Sequence, residues 1–191
     1  MRLETQNLKK IVFLDRDGVI NRDSPNYIKN WGEFEFIPGS PKAIKCLTEE
    51  GFTVIVITNQ SMINRGIASR ETLEHTHGMM QSSITAQGGK IRDIFFCPHR
   101  PEEGCHCRKP EPGMLYQARD RYGIDLGAAY MVGDSAKDIQ CAKNAGCGCA
   151  VLVRTGNGLM AEKVLAEKDI FPDHIAENLH EAAEWIIRRK A

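Results

Sequence analysis

Two carboxylates stand two residues apart in Asp15-Arg16-Asp17-Gly18, directly after the apolar run Ile11–Leu14. One acid of such a pair can attack phosphorus while the other protonates the leaving oxygen and then activates water. An isolated D-x-D-G is also an ordinary solvated turn, so its neighbours decide its meaning. Thr58-Asn59-Gln60-Ser61 closes a second apolar run and offers a hydroxyl and amides to a phosphate oxygen. Lys109 follows a third run and supplies a point charge on a flexible stem, suited to a phosphoryl group. Gly133-Asp134 ends a fourth run, and Asp134 offers the hard oxygen that magnesium takes. Asp138 is open to two readings, a further acid at that site or a first-turn carboxylate in a helix begun by Ser135.

A second constellation lies just before Lys109. Cys97-Pro98-His99 is followed, after five residues, by Cys105-His106-Cys107. Two ligands one residue apart, then two more, can close a tetrahedron around zinc, with Cys97, His99, Cys105 and Cys107 as the expected set. Protein fills all four positions, which marks the zinc as structural, a device for holding Arg108 and Lys109. His106, between two cysteines, is expected to face outward. Cys46, Cys141, Cys147 and Cys149 have no nearby histidine and read as small buried hydrophobes.

The elements that must carry these residues alternate. Ile11–Leu14, Val54–Ile57, Asp93–Phe96, Tyr130–Val132 and Ala150–Val153 read as strands whose apolar runs suit burial on both faces. Helices are expected from Ser40-Pro41 to Gly51, from Ser69 to Gly88-Gly89, over Met114–Tyr122, and from Ser135 to Gly146. Asn178 and Glu181 form a capping-box-like pair before a closing helix over Ala182–Arg189. Strand and helix in turn predict an α/β fold, a three-layer, doubly wound parallel sheet with ligands at the carboxyl ends of its strands. The segment 21–38 is expected to form a small flap, and the gaps after the first and second motifs leave no room for a large cap domain.

A chain of 191 residues fits one domain, 1–191, and buries roughly 70% of its unfolded surface. Lys plus Arg and Asp plus Glu both number 25, so no basic surplus points to nucleic acid. The polar start at 1–10 has no apolar signal-peptide core, and no later run reaches the ~20 residues of a membrane span. A cytoplasmic, monomeric protein with neither membrane nor nucleic-acid partner is expected. Seven cysteines, an odd number, suit a reducing compartment and a metal site.

In their order and spacing the four acidic, hydroxyl and lysine motifs resemble those of the haloacid dehalogenase (HAD) superfamily of phosphatases, over about Ile11 to Thr155. The resemblance implies Asp15 as nucleophile, Asp17 as general acid/base, Thr58 and Lys109 as stabilisers of the phosphoryl group, and Mg²⁺ on Asp15, the Asp17 carbonyl and Asp134. Within the superfamily the zinc loop resembles that of two families, one acting on heptose 1,7-bisphosphates and one on histidinol phosphate. Arg65-Gly66, the run Arg108 to Leu115 and the run Val151 to Gly156 look like the heptose pattern. That resemblance implies a small phosphorylated sugar as substrate, with loss of the phosphate at carbon 7. It also implies substrate contacts from Asp23, Ser24, Pro25, Asn26, Tyr27, Asn59, Gln60, Ser61 and Arg108. A phospho-receiver signalling domain shares the sheet, acids, threonine and lysine, but here the third strand runs into Cys97-Pro98-His99 instead of a phosphorylated aspartate.

Overall fold

The computed structural model describes residues 10–189; the expectation of a polar start without a signal core falls largely on 1–9, outside them. Six strands, β1 (Ile11–Leu14), β2 (Thr53–Asn59), β3 (Ile91–Cys97), β4 (Tyr130–Gly133), β5 (Cys149–Val153) and β6 (His174–Ala176), form one sheet. All its pairings are parallel, in the order β3-β2-β1-β4-β5-β6. The helices are α1 (Ser40–Glu49), α2 (Arg70–Ala86), α3 (Gly113–Tyr122), α4 (Ala136–Ala145), α5 (Gly158–Glu167) and α6 (Leu179–Arg188).

Strand side chains alternate between two cores, as the period of two requires. Val12, Leu14, Val54, Val56, Val132 and Val151 pack with Ile44, Leu47, Met80, Ile84 and Ile186 of α1, α2 and α6. Ile11, Phe13, Ile55, Ile57, Met131 and Leu152 pack with Leu115, Ala118, Ile139 and Leu165 of α3, α4 and α5. Each such fully buried side chain contributes about 1.5–3 kcal/mol of transfer free energy. The result is the expected helix–sheet–helix sandwich.

Ser69 caps α2 by accepting from Thr72 N–H, and Asn178 caps α6 by accepting from Glu181 N–H. Ser40 serves differently from a cap. Gly39 precedes the helix with φ 87°, and the Ser40 hydroxyl donates to the Ile20 carbonyl at 2.6 Å, pinning the chain that leaves β1. Between them, residues 21–38 form the small flap, with one 3-10 turn at Trp31–Glu33. Its aromatic rings lock together, Trp31 stacked on Phe34 at 4.9 Å and Phe34 edge-on to Phe36 at 5.0 Å. No cap domain intervenes among the described residues. Among the described residues no helix is long and apolar enough to cross a membrane.

Strand order runs outward in both directions from β1, with β2 on one side and β4 on the other. Ligand crevices in such sheets open at the carboxyl ends of the strands where the order reverses. Asp15 follows β1 and Asp134 follows β4, so the fold delivers both acids to that crevice.

Candidate active site

A cleft of about 530 Å³ opens at these strand ends, lined by Asp15, Asp17, Thr58, Lys109 and Asp134. Lys109 Nζ is its electrostatic centre, with the side chain only 2% exposed. It forms ion pairs with Asp15 Oδ1 at 2.8 Å and Asp138 Oδ1 at 2.5 Å, and donates to the Ile57 carbonyl at 2.9 Å. Burial alone would lower the Lys109 pKa, but Asp138 and Asp15 outweigh it and raise it.

Three carboxylates, Asp15, Asp134 and Asp138, bring one oxygen each within 4.8 Å of one another. Burial first, then repulsion from Asp138 and Asp17, pushes Asp15 up to about 7 even though Lys109 opposes it; burial, then repulsion from Asp15 and Asp138, pushes Asp134 up to about 8. Such a cluster carries more negative charge than one lysine balances, and hard oxygens at this spacing fit a divalent cation. Asp138 itself accepts from the Ser135 N–H at 3.0 Å and the Ser135 hydroxyl at 2.6 Å while facing Lys109. Both readings of Asp138 therefore hold in part: it caps α4 and it belongs to the charged site. The approach of these groups requires glycine, because a Cβ on Gly18 or Gly156 would collide with the Asp134 carboxylate.

Asp17 lies beside Asp15 in a different environment. Burial would raise its pKa, but the Arg16 guanidinium, Asn21 and Gln60 outweigh that and lower it. Arg16 is 0% exposed and grips Asp17 through Nη2 at 2.8 and 3.0 Å and Nε at 3.1 Å. Behind it, His77 Nε2 from α2 meets Arg16 Nη1 at 3.1 Å. Burial, and then Arg16, push His77 down to about 3, so its neutral ring accepts from the arginine. Gln60 Nε2 donates to Asp17 Oδ2 at 2.8 Å and to Thr58 Oγ1 at 2.9 Å, coupling the first motif to the second.

The cysteine–histidine loop closes as expected. Cys97, His99, Cys105 and Cys107 bring their ligand atoms together, with Sγ···Sγ distances of 3.3, 3.5 and 3.6 Å and Sγ···Nδ1 distances of 3.3 and 3.5 Å. Tetrahedral zinc, with bonds of about 2.3 Å to sulfur and 2.0 Å to nitrogen, places its ligands about 3.5–3.8 Å apart. The donors and their spacing fit that ion. His106 is exposed and outside the set. Arg108 Nη1 donates to the His99 carbonyl at 3.1 Å, tying the loop to the cleft wall.

Of the residues expected to touch substrate, Asp23, Ser24, Pro25, Tyr27, Asn59, Gln60, Ser61 and Arg108 line the cleft. Asn26 is exposed at the tip of its turn and is absent from that lining. Asn59 has a structural engagement that its position in the motif did not reveal. Its amide accepts from Lys109 N–H at 3.1 Å and donates to the Lys109 carbonyl at 3.2 Å, fixing the lysine's backbone.

Comparison with known proteins agrees with this geometry. The HAD-hydrolase-like family model matches residues 106–182. The D-glycero-beta-D-manno-heptose-1,7-bisphosphate 7-phosphatase of Pseudomonas aeruginosa is 44% identical over 88% of this chain and 94% of its own length. The Escherichia coli K12 protein of the same name is 41% identical, covering 94% of this chain and 89% of its own. The chain belongs to the heptose-1,7-bisphosphate 7-phosphatase family. A B. bronchiseptica D,D-heptose 1,7-bisphosphate phosphatase, solved with magnesium and phosphate, superposes with TM-score 0.88 at 41% identity, covering 94% of this chain and 99% of that one.

Seen within this heptose-bisphosphatase family, three residues of the site escaped the sequence reading. Arg16 stood between two acids and was given no role. His77 lies in α2 with no motif around it. Asn157 donates its backbone N–H to Asp134 Oδ2 at 2.8 Å, yet it follows the last motif run quoted above. The legible signal for Arg16 was its charge between two buried acids, since a buried cation must be paired. His77 and Asn157 gave none.

Proposed function

We propose that the chain is a magnesium-dependent phosphatase that removes the 7-phosphate of D-glycero-D-manno-heptose 1,7-bisphosphate through an aspartyl phosphate on Asp15. The observation that carries this reading is Asp15 Oδ1 at 2.8 Å from Lys109 Nζ on the cleft floor, with Asp134 and Asp138 alongside. The Asp15 carboxylate attacks phosphorus, and the bond to the sugar oxygen breaks. Asp17 gives that oxygen its proton, then takes one from water, which attacks phosphorus and restores Asp15. Arg16 keeps Asp17 ionised in this conformation, ready for the base half of its work. An arriving phosphate adds negative charge beside it, which favours the protonated form needed for the acid half. Thr58 and Lys109 hold the phosphoryl oxygens. Magnesium, held by Asp15, Asp134 and the Asp17 carbonyl, supplies neutralisation of the phosphate charge.

Asp23, Ser24, Pro25, Tyr27, Asn59, Gln60, Ser61 and Arg108 form the sugar side of the cleft in this reading. Zinc on Cys97, His99, Cys105 and Cys107 is structural. We place the reaction on one domain of a cytoplasmic monomer, with neither nucleic acid nor membrane as partner. A panel of heptose bisphosphates, histidinol phosphate and an aryl phosphate tests the substrate, and activity on histidinol phosphate above that on the bisphosphates overturns it.

Two results follow for the cleft wall. Cys105→Ser, in protein purified without added metal, is expected to lose most of its one zinc per chain and to lose activity with it, because Arg108 and Lys109 follow the loop at once. Elemental analysis and assay of the same sample check this, and full zinc content in the variant refutes the ligand set. Arg108→Ala is expected to lower kcat/KM for the heptose bisphosphate by about ten- to hundredfold, the cost of one charge-assisted contact to the second phosphate. A small aryl phosphate, with no second phosphate, is expected to lose little. Equal losses assign Arg108 to the transferred phosphoryl group or to the loop.

A further inference from the structure

The connection from β5 to α5 reaches three parts of the site. Thr155 Oγ1 donates to the Gly18 carbonyl at 2.6 Å, and Asn157 N–H donates to Asp134 Oδ2 at 2.8 Å. The Asn157 side-chain amide donates to Asp23 Oδ2 at 3.0 Å and lies 3.4 Å from Asp134 Oδ2. Asn157 occupies the N-cap position of α5, where asparagine ordinarily accepts from the helix's own N–H groups, yet it makes no such bond. Its amide instead donates between two carboxylates that would otherwise repel. Asp23 opens the flap segment through Tyr27, and the bonds inside that segment are local. Ser24 N–H reaches Asp23 Oδ1, Asn26 N–H reaches Ser24 Oγ, and Tyr27 N–H reaches the Ser24 carbonyl.

We infer that Asn157 is a positioning residue that tethers the Asp23–Tyr27 segment to Asp134, holding the sugar side and the carboxylate side of the cleft in one register. The inference rests on the proposed reading of that segment as a substrate contact. The two halves of Asn157 have separate tasks. Its N–H serves Asp134 and survives replacement by alanine; its side chain serves chiefly Asp23, at 3.0 Å, with the longer 3.4 Å contact to Asp134 beside it. The same turn leads into α5, whose Met160, Ala161 and Val164 continue the cleft wall, so slack at Asn157 reaches the pocket from two directions.

The test combines hydrogen exchange with a double-mutant cycle on the full chain. In Asn157→Ala, amides of Ser24, Asn26 and Tyr27 are expected to exchange faster, with no substrate present. KM for heptose 1,7-bisphosphate is expected to rise about tenfold, the scale of one hydrogen bond to a charged group, while kcat moves less than about twofold. Asp23→Ala should loosen the same amides, and the double variant should be no worse than Asp23→Ala alone, because the two residues share one contact. Unchanged exchange, or penalties that add, overturns the tether. Faster exchange in Asn157→Ala, in a protein whose wild type does not turn over the bisphosphate, upholds the tether and overturns the substrate reading.

Discussion

Asp15→Asn is expected to give a folded protein whose turnover is lower by on the order of 10⁴-fold or more, the scale seen when a covalent nucleophile is removed. The fold should survive because the replacement keeps the side chain's size and shape, and an amide oxygen can still accept from the Arg16 N–H that reaches Asp15 Oδ1 at 2.7 Å. Chemistry should not survive, since an amide is a poor nucleophile towards phosphorus and a weak ligand for magnesium. Circular dichroism checks the fold, and quenched single turnovers check the chemistry. Residual activity above about a hundredth of wild type would move the nucleophile elsewhere.

Lys109→Met is expected to damage both stability and rate. The side chain is 2% exposed and the Asp138 side chain 0%, and removing the cation leaves Asp15 and Asp138 facing one another in a dry site. Breaking a buried pair in this way costs about 3–5 kcal/mol, which for a domain of this size lowers Tm by roughly 10 °C. Turnover should fall by about 10²–10³-fold as well, the usual loss when a preorganised charge is removed from a transition state. Adding Asp138→Asn separates the two effects. The double variant should recover much of the Tm, because the uncompensated carboxylate is gone, while turnover remains low. Calorimetry of both metal-free proteins decides. A Tm unchanged in the single variant would mean that Lys109 is not the charge holding these acids together.

The sheet's central strands were legible because β1, β2, β4 and β5 are covered on both faces and so appear as unbroken apolar runs. β6 was missed for the converse reason. It is a three-residue edge strand, His174–Ala176, half-buried and without such a run. α5 was missed because its boundary gives conflicting signals: glycine at both 156 and 158 surrounds an asparagine whose side chain bonds Asp23 instead of its own helix. That local rule was broken at the site itself, where such departures are expected. The cleft-lining acids, threonine and lysine and the cysteine–histidine cluster were readable because their residue types recur at short spacings. His77 could not be read, since what makes it part of the site is a contact with Arg16 across sixty-one positions of sequence. Asn59 lines the cleft as expected and also holds the backbone of Lys109, an engagement that only the pairing of two loops reveals.

The measurement that bears most directly on the whole reading is phosphorus NMR of purified protein with magnesium and D-glycero-D-manno-heptose 1,7-bisphosphate. The expected result is release of one equivalent of inorganic phosphate, loss of the carbon-7 phosphate resonance and retention of the anomeric one, with no release by Asp15→Asn. Retention of the carbon-7 phosphate, or turnover undiminished in Asp15→Asn, would contradict it.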